Sequence, residues 1–171
     1  MMEKSEKQAI VILLKQYKEI QKIRRKYDPG YEKYSPHITL ASPFENINQN
    51  RLKEHIKDSI KNIKVFKLEL QSLRKSPKEF YLYLLIKKGN DKIVKIHKNL
   101  YSKLLGKWLR RDIPYIPHVT LGVFKTKEQI DSAIKELREQ KIEIKVTIDF
   151  ICLLTLKKDY SIKSIKRFKL K

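Results

Sequence analysis

Residues 34–40 read YSPHITL and residues 115–121 read YIPHVTL, so one seven-residue segment occurs twice in the chain. Five of the seven positions are identical, and a sixth exchanges Ile for Val. Alternate residues of a β-strand point to the same face of the sheet. If both segments are strands, the histidine and the threonine of each share one face, with aliphatic residues behind them. The repeat predicts an internal duplication that presents two histidines and two threonines in matching positions.

The hydrophobic pattern around the two segments also repeats. After an N-terminal strand, each half is predicted to run helix, strand, helix, strand, strand. Pro43 is expected to close the first motif strand, and Thr126 and Gln129 are expected to form a capping box. These elements predict one α+β domain. The predicted helices span residues 15–27, 48–63, 90–105 and 126–140, and the predicted strands span 9–14, 36–42, 66–71, 80–86, 118–124, 142–148, 150–156 and 161–170.

The chain carries a large excess of positive charge. Its 171 residues include 40 Lys and Arg against 19 Asp and Glu, which gives a net charge of +21. Such a surface attracts polyanions and steers them towards the protein. Nucleic acid is therefore the leading candidate partner, and an anionic membrane is the alternative. A third interpretation needs no partner, because lysines spread along an ordinary surface produce the same excess.

Several classes of protein do not fit this sequence. The single cysteine, Cys152, excludes a disulfide within the chain and a cysteine-based zinc site, and its apolar neighbours predict a buried side chain. No apolar run approaches the length of a transmembrane helix. The apolar run at residues 9–14 lacks the features of a signal peptide. The expectation is a soluble, cytoplasmic, monomeric protein that does not associate with membranes.

The duplicated histidine and threonine suit phosphodiester chemistry. Histidine titrates near neutral pH, so two histidines can hold opposite protonation states and act as general base and general acid. Hydroxyl groups can donate hydrogen bonds to non-bridging phosphate oxygens. One His-x-Thr on a strand is an ordinary combination of residues, but two copies in matching contexts favour the chemical interpretation. No third ligand for zinc accompanies His37 and His118, so neither a metal nor a cofactor is expected.

The paired His-x-Thr motifs in a duplicated α+β chain resemble the 2H phosphoesterase superfamily. That group includes the 2′–5′ RNA ligase-like proteins and the cyclic nucleotide phosphodiesterases. The resemblance implies a duplicated bilobal fold, in which two antiparallel sheets face a central cleft and the helices lie on the outside. The two lobes of this single domain are expected to comprise roughly residues 1–88 and 89–171.

For function, the resemblance implies a metal-independent phosphoesterase acting on a 2′,3′-cyclic phosphate or a 2′–5′ phosphodiester of RNA or a small nucleotide. His37 and His118 are then the catalytic acid and base, and Thr39 and Thr120 bind phosphate. Many 2′–5′ RNA ligase-like members carry an Arg shortly after His-x-Thr-Leu. This chain has Lys125 after the second motif instead, and Lys lacks the bidentate grip of Arg. The exact substrate, the direction (hydrolysis or ligation) and the role of each histidine stay open.

Other residues near the motifs are candidates for substrate binding. Trp108, Arg110 and Arg111 precede the second motif, and such side chains stack on bases and grip phosphates of single-stranded nucleic acid. A buried helix-end Trp with solvated arginines is the alternative interpretation. Phe44 and Phe124 close the motif strands and either flank a base or belong to the core.

The remaining histidines, His55 and His97, fall in predicted helices. His97 lies on the apolar face and is predicted to be a hydrogen-bonded core residue, whereas His55 is predicted to be solvated. The basic tail, residues 157–171, is predicted to be a solvated edge strand, with a contact to an RNA backbone as the alternative.

A non-enzymatic alternative follows from the charge. A basic RNA-binding module using the same cleft without turnover explains the net charge of +21. Its binding is expected to weaken steeply with salt, and replacing both motif histidines is expected to leave that binding unchanged. A protein of the membrane surface rests on charge alone, and acidic residues interrupt the polar faces of most predicted helices.

Overall fold

One strongly curled antiparallel sheet forms the centre of the molecule. The computed structural model describes residues 6–14 and 17–171. Within this part of the chain, the strands are β1 (Lys7–Leu13), β2 (His37–Phe44), β3 (Phe66–Lys75), β4 (Tyr81–Lys88), β5 (His118–Val123), β6 (Glu143–Ile148), β7 (Phe150–Leu156) and β8 (Ile162–Lys169). The helices are α1 (Lys18–Tyr27), α2 (Gln49–Ile60), α3 (Asn90–Tyr101) and α4 (Lys127–Arg138), with a short 3₁₀ helix at Gly106–Trp108. The strand order across the sheet is β6-β3-β4-β5-β2-β1-β7-β8.

The helices follow the predicted order, and their ends reflect local capping. The side chain of Asn48 accepts hydrogen bonds from two backbone amides at the start of α2, and the hydroxyl of Thr126 accepts one from the amide of Gln129 at the start of α4. The start of α1 predicted at residue 15 lies outside the described residues. Across the described ranges, none of the helices is long and apolar enough to cross a lipid bilayer.

The first motif strand continues further than predicted. Pro43 was expected to end it, but β2 runs through Pro43 to Phe44. The pairing between β1 and β2 shifts its register near Gln8 and Ile10, opposite this end of β2. A proline is tolerated at such a bulge because the missing N–H breaks no regular ladder bond.

The α+β class and the antiparallel pairing are confirmed, but the strands form one continuous sheet rather than two separate ones. The join is between the two motif strands, where Ile38 of β2 pairs with Val119 of β5. This contact closes what would otherwise be an exposed edge on each half. The sheet therefore passes without interruption from one half of the molecule to the other.

The two halves of the sheet exchange strands. β3 and β4 follow the first motif in the chain but pair on the side of β5, the second motif strand. β7 and β8 come from the C-terminal part of the chain but pair on the side of β1. A boundary near residue 88 thus separates the two motifs along the chain, but it does not separate the two halves of the sheet.

The helices cover one face of the sheet and leave the other face available for a site. Ile38 and Leu40 of β2 and Val119 and Leu121 of β5 all point into the main core beneath the helices. The opposite face, here named the open face, carries a smaller apolar cluster on β1 and β7. Cys152 is buried in that cluster, as predicted. The members of this cluster are Ala9, Val11, Cys152, Leu154 and Leu156.

Gly122 permits the close packing of α1 on the second motif strand, and we expect its replacement by Ala to destabilise the fold. A Cβ at this position would lie 2.8 Å from the Cβ of Tyr27 and 2.8 Å from the ring of Phe124. Overpacking of this kind costs about 1–3 kcal/mol of unfolding free energy. Chemical denaturation of Gly122→Ala measures the loss. Gly106→Ala is the control, because its Cβ would approach only one atom, at 3.1 Å. Equal stability of the two variants contradicts the packing argument.

Candidate active site

The antiparallel contact between β2 and β5 brings the two motifs together. Because Ile38 pairs with Val119, an antiparallel register centred on that pair sets His37 opposite Thr120 and Thr39 opposite His118. All four of these side chains are half-buried. They lie on the open face, since their neighbours in the sequence point into the main core. This register places the two imidazoles and the two hydroxyls side by side on the same face of the sheet.

Both imidazoles are held in the same tautomer. Nδ1 of His37 lies 2.7 Å from the carbonyl oxygen of Ser35, and Nδ1 of His118 lies 2.6 Å from the carbonyl oxygen of Ile116. A carbonyl can only accept a hydrogen bond, so each Nδ1 carries the proton. Each Nε2 is then left to accept a proton when the ring is neutral and to donate one when it is charged.

The repeated proline has a place in this arrangement. Pro36 and Pro117 stand between each histidine and the carbonyl that it contacts. A proline fixes its own φ and biases the preceding residue towards an extended conformation. The preceding carbonyl is thereby directed back to the imidazole two residues later. The sequence Pro-His thus favours both the extended backbone and the tautomer with the proton on Nδ1.

A cavity of about 300 Å³ lies over the motif strands on the open face. Three of the four motif side chains line it, namely His37, Thr39 and Thr120. Strands β1, β7 and β8 contribute apolar residues, and the α1–β2 connection contributes polar ones. The full lining is Ala9, Val11, Arg24, Asp28, Tyr34, Pro36, His37, Thr39, Pro43, Tyr81, Thr120, Val123, Leu154, Leu156, Tyr160 and Ile162.

A buried ion pair supports the segment that leads into His37. The guanidinium of Arg24 lies 2.7 Å from the carboxylate of Asp28, and their side chains are only 3% and 8% exposed. The same guanidinium donates to the carbonyl oxygen of Tyr34 at 2.6 Å, and Asp28 accepts from the amide of Gly30 at 2.8 Å. Pairing satisfies both buried charges. The pair therefore fixes the loop that places His37.

The environment of the two imidazoles favours their neutral forms. Burial lowers the pKa of His37; the bond to Ser35 opposes that shift, while the charge of Arg24 adds to it. Burial likewise lowers the pKa of His118, the bond to Ile116 opposes the shift, and the charge of His37 adds to it. The effect of His37 on the pKa of His118 indicates that the two imidazoles lie within electrostatic reach of each other.

Tyr83 holds the ring of His118. It lies on β4, opposite Thr120 in the β4–β5 pairing, and its ring stacks on the imidazole with centroids 3.5 Å apart and planes 17° apart. A stacked aromatic limits rotation of the imidazole and presents its π face to any positive charge that develops there. Nothing in the motif itself pointed to Tyr83, because only the strand pairing brings it to the site.

Beyond the short ladder between β2 and β5, three side chains form hydrogen bonds with the backbone of β2. The hydroxyl of Tyr115 donates to the carbonyl oxygen of Thr39 at 2.7 Å. Nδ1 of His97 lies 2.8 Å from the carbonyl oxygen of Leu40, and the hydroxyl of Tyr101 accepts the amide of Ser42 at 2.9 Å. The rings of His97 and Tyr115 stack with centroids 3.5 Å apart. Burial raises the pKa of Tyr115, so its hydroxyl stays a donor.

The other predicted contact residues lie away from the cavity. Phe44 is 1% exposed and packs in the core against Trp108, with ring centroids 6.0 Å apart. Arg110 is exposed and paired with Asp112 at 2.7 Å. Phe124 packs on Tyr27, with ring centroids 5.7 Å apart. None of the six candidates is among the described residues that line the cavity: Phe44, Trp108, Arg110, Arg111, Phe124 and Lys125.

The two remaining histidines are both structural in their contacts. His97 is hydrogen-bonded against β2, as predicted. His55 was expected to be solvated, and this was wrong: its Nε2 lies 2.8 Å from the carbonyl oxygen of Leu100, so it ties α2 to α3. Among the described side chains, no group of three or more His, Cys, Asp and Glu is arranged to hold a metal ion.

Comparison with known proteins identifies relatives across most of the chain. A family model described as the 2′-5′ RNA ligase superfamily matches residues 14–159. A protein of Geobacillus sp. (strain WCH70), named "Putative phosphoesterase", is 27% identical over 135 residues, which cover 77% of this chain and 76% of the relative. A protein of the same name from Geobacillus thermodenitrificans (strain NG80-2) is 29% identical over 139 residues, with 77% and 76% covered.

Solved structures share the fold. The crystal structure of E. coli LigT complexed with 3′-AMP superposes with a TM-score of 0.59 at 14% identity, covering 98% of this chain and 97% of LigT. Kluyveromyces marxianus Usb1 with uridine monophosphate superposes with a TM-score of 0.53 at 10% identity, covering 96% and 98%. At these identities the likeness establishes the common fold alone.

The depressed histidine pKa values predict a loss of stability in mild acid. A pKa below the usual value of about 6.5 means that the unfolded chain takes up protons before the native state does. The stabilisation is complete above that pH and is lost as the pH falls through the lower native pKa values. We expect the melting temperature to drop between pH 7.5 and 5. A double variant, His37→Asn with His118→Asn, should drop less, and an equal drop contradicts the prediction.

The hydroxyl of Tyr115 is expected to matter for activity more than for stability. Tyr115→Phe and Tyr101→Phe each remove one hydrogen bond to β2, at a similar cost of about 0.5–1.5 kcal/mol. Only the bond of Tyr115 ends on Thr39, so Tyr115→Phe should lower kcat/KM by about tenfold, since small displacements of a site residue have large kinetic effects. Tyr101→Phe should stay within about threefold of the wild type. Thermal melting and steady-state kinetics distinguish the two; equal kinetic losses contradict a positioning role.

Proposed function

The chain belongs to the 2′-5′ RNA ligase superfamily, and from this premise we propose that it is a metal-independent phosphoesterase acting on a 2′,3′-cyclic phosphate or a 2′–5′ phosphodiester. Its relatives named as phosphoesterases support the broader activity. The substrate is RNA or an RNA-derived nucleotide. Two histidines perform the acid–base chemistry, and the hydroxyls of Thr39 and Thr120 bind the phosphate.

The main support for this proposal is that the two imidazoles have the same tautomer and the same hydrogen bonding. His37 and His118 each use Nδ1 to hold a carbonyl of their own motif. The two Nε2 atoms are therefore both free for proton transfer, which is the requirement for a base and an acid acting on opposite sides of one phosphorus.

The reaction on a cyclic phosphate follows from these groups. One neutral imidazole takes a proton from water at Nε2 while the water oxygen forms a bond to phosphorus. The bond from phosphorus to the 2′ or 3′ oxygen breaks, and the other histidine, protonated at Nε2, gives its proton to that oxygen. The two histidines exchange protonation states over one turnover. With an RNA hydroxyl in place of water, the same sequence joins that hydroxyl to the cyclic phosphate, so the same groups serve ligation.

The electrostatics of the site suit this cycle. Burial holds the pKa of both imidazoles below the usual value, so the base is already neutral at physiological pH. A bound phosphodiester anion opposes this shift and stabilises the positive charge on the acid. Tyr83 stacks on His118, and Thr39 and Thr120 can donate to the non-bridging oxygens. Arg24 also lines the cavity wall, where its charge is paired with that of Asp28.

Two further observations support a nucleotide as the substrate. The structure of LigT is a complex with 3′-AMP and that of Usb1 is with uridine monophosphate, and both share this fold. The net charge of +21 draws polyanions towards the molecule from beyond contact distance. Charge of this kind raises the local concentration of RNA, whereas the cavity supplies the chemistry.

Hydrolysis of 2′,3′-cyclic nucleotides and of RNA with a 2′,3′-cyclic end tests the proposal. Activity in EDTA should equal activity without it, with a bell-shaped pH profile. His37→Ala and His118→Ala should each lose about 10²- to 10⁴-fold in kcat. His55→Ala is the control, since His55 contacts Leu100 and neither residue lines the cavity, and it should retain wild-type turnover.

Each outcome has a definite meaning. Loss in both motif variants establishes the two-histidine mechanism, and the position of the phosphate in the product identifies the leaving oxygen. Activity that EDTA abolishes, or that survives in either motif variant, contradicts the mechanism. No turnover by a folded wild type, together with salt-sensitive RNA binding that both variants retain, favours an RNA-binding protein without catalysis.

A further inference from the structure

The cavity over the motifs has an apolar end as well as a catalytic end. Next to β2, strands β1, β7 and β8 line it with aliphatic side chains only. Ala9 and Val11 are small, and they leave room above the sheet between His37 and the larger side chains of β7. The lining of this end consists of Ala9, Val11, Leu154, Leu156 and Ile162, together with Tyr160 from the turn between β7 and β8.

Tyr160 occupies an unfavourable backbone conformation at the rim of this end. Its φ is +64°, a left-handed value that glycine adopts readily and that other residues rarely adopt. The turn is closed by hydrogen bonds from the amide of Tyr160 to the carbonyl of Lys157 and from the amide of Lys157 to the carbonyl of Ser161. A glycine would suit this backbone better. Tyr160 thus stands in a conformation that its own side chain disfavours, and residues at binding sites are often strained in this way.

The ring of Tyr160 is held over the cavity from one side and open on the other. Lys7, on β1, donates a hydrogen bond to the hydroxyl of Tyr160, and its ammonium lies 4.5 Å from the ring centre. The residue as a whole is 39% exposed. An aromatic side chain that is tethered at its edge but not covered presents a fixed apolar surface to a ligand.

We propose that Tyr160 and the aliphatic end of the cavity form the subsite for the nucleobase of the substrate. The inference rests on the proposed function, because His37, Thr39 and Thr120 in the same cavity fix where the phosphate lies. A base attached to that phosphate through its ribose reaches the adjoining apolar end. A flat group with apolar faces stacks on a tyrosine ring and packs on Val11 and Leu154, whereas the phosphate stays with the polar residues.

The side chains at this end of the cavity also determine whether the subsite can distinguish one nucleobase from another. Within the cavity lining, β1, β7 and β8 supply only aliphatic side chains, and the polar groups at the rim, the ammonium of Lys7 and the hydroxyl of Tyr160, are hydrogen-bonded to each other. Discrimination among bases needs polar groups placed at their edges, whereas stacking accepts every base. The subsite therefore requires a base without selecting one. The substrate class is a nucleotide or RNA end of any sequence, rather than one particular nucleotide.

Two changes test this subsite together: removal of the nucleobase from the substrate and removal of the aromatic ring of Tyr160 from the protein. The probes are the four nucleoside 2′,3′-cyclic phosphates and ribose 2′,3′-cyclic phosphate, which lacks the base. For the wild type, kcat/KM should be about tenfold to a hundredfold higher with a base, and the four bases should agree within about tenfold. Tyr160→Ala should bring the base-containing probes down towards the ribose probe, mainly through KM. Tyr160→Phe, which keeps the ring, should retain the preference.

Phe80→Ala is the matched control. Phe80 is another exposed aromatic beside a turn between two strands, 46% exposed, but it does not line the cavity. This variant should keep the full preference for a base. Equal losses on the base-containing and base-free probes in Tyr160→Ala, or no preference for a base in the wild type, overturn the proposal.

A binding measurement separates this inference from the proposed reaction. Calorimetry compares adenosine 3′-monophosphate with ribose 3-phosphate for the wild type and for Tyr160→Ala. If no probe is turned over but the wild type binds the nucleotide at least tenfold more tightly and Tyr160→Ala does not, the subsite stands and the catalytic proposal fails. If the wild type binds both compounds equally, the subsite fails, whatever the turnover.

Discussion

The pairing of Ile38 with Val119 is the contact on which the rest of the molecule depends. It joins the halves of the sheet and sets the register that faces each histidine towards the threonine of the other motif. The ladder between the two strands does not continue from there. Tyr115, His97 and Tyr101 instead bond the backbone of β2 beyond the join. Beyond this pair, hydrogen bonds from side chains replace the backbone hydrogen bonds of a regular ladder. Changes in these side chains can therefore alter the geometry of the site without changing the strand order of the sheet.

Much of the fold and the centre of the site could be predicted from the sequence, for physical reasons. A period of two in polarity determines which residues of a strand share a face, and a duplicated motif makes that inference twice. The histidines and threonines, the burial of Cys152 and the hydrogen-bonded His97 follow from such local patterns. A strand that continues through Pro43 does not, because the bulge that tolerates it belongs to the pairing with β1.

The residues around the candidate site were harder to predict because the sheet brings them from distant parts of the chain. Tyr83 reaches His118 through the β4–β5 pairing, and Tyr160 reaches the cavity from the β7–β8 turn. Neither lies near a motif in the chain. The aromatic and basic residues that do, such as Phe44 and Arg110, belong to the core or to a surface ion pair. Proximity along the chain was therefore a poor guide to the lining of the site.

The exchange of strands between the halves of the sheet has a consequence for how the chain folds. The strand β1 pairs on one side with β2, which is close in the chain, and on the other side with β7, which begins only at Phe150. Contacts of such long sequence separation are costly to close and slow folding. A nascent chain that has left the ribosome only as far as the first motif has no complete sheet to join. Because each half of the sheet combines strands from both parts of the chain, a fragment ending near residue 88 would lack strands of both halves of the sheet.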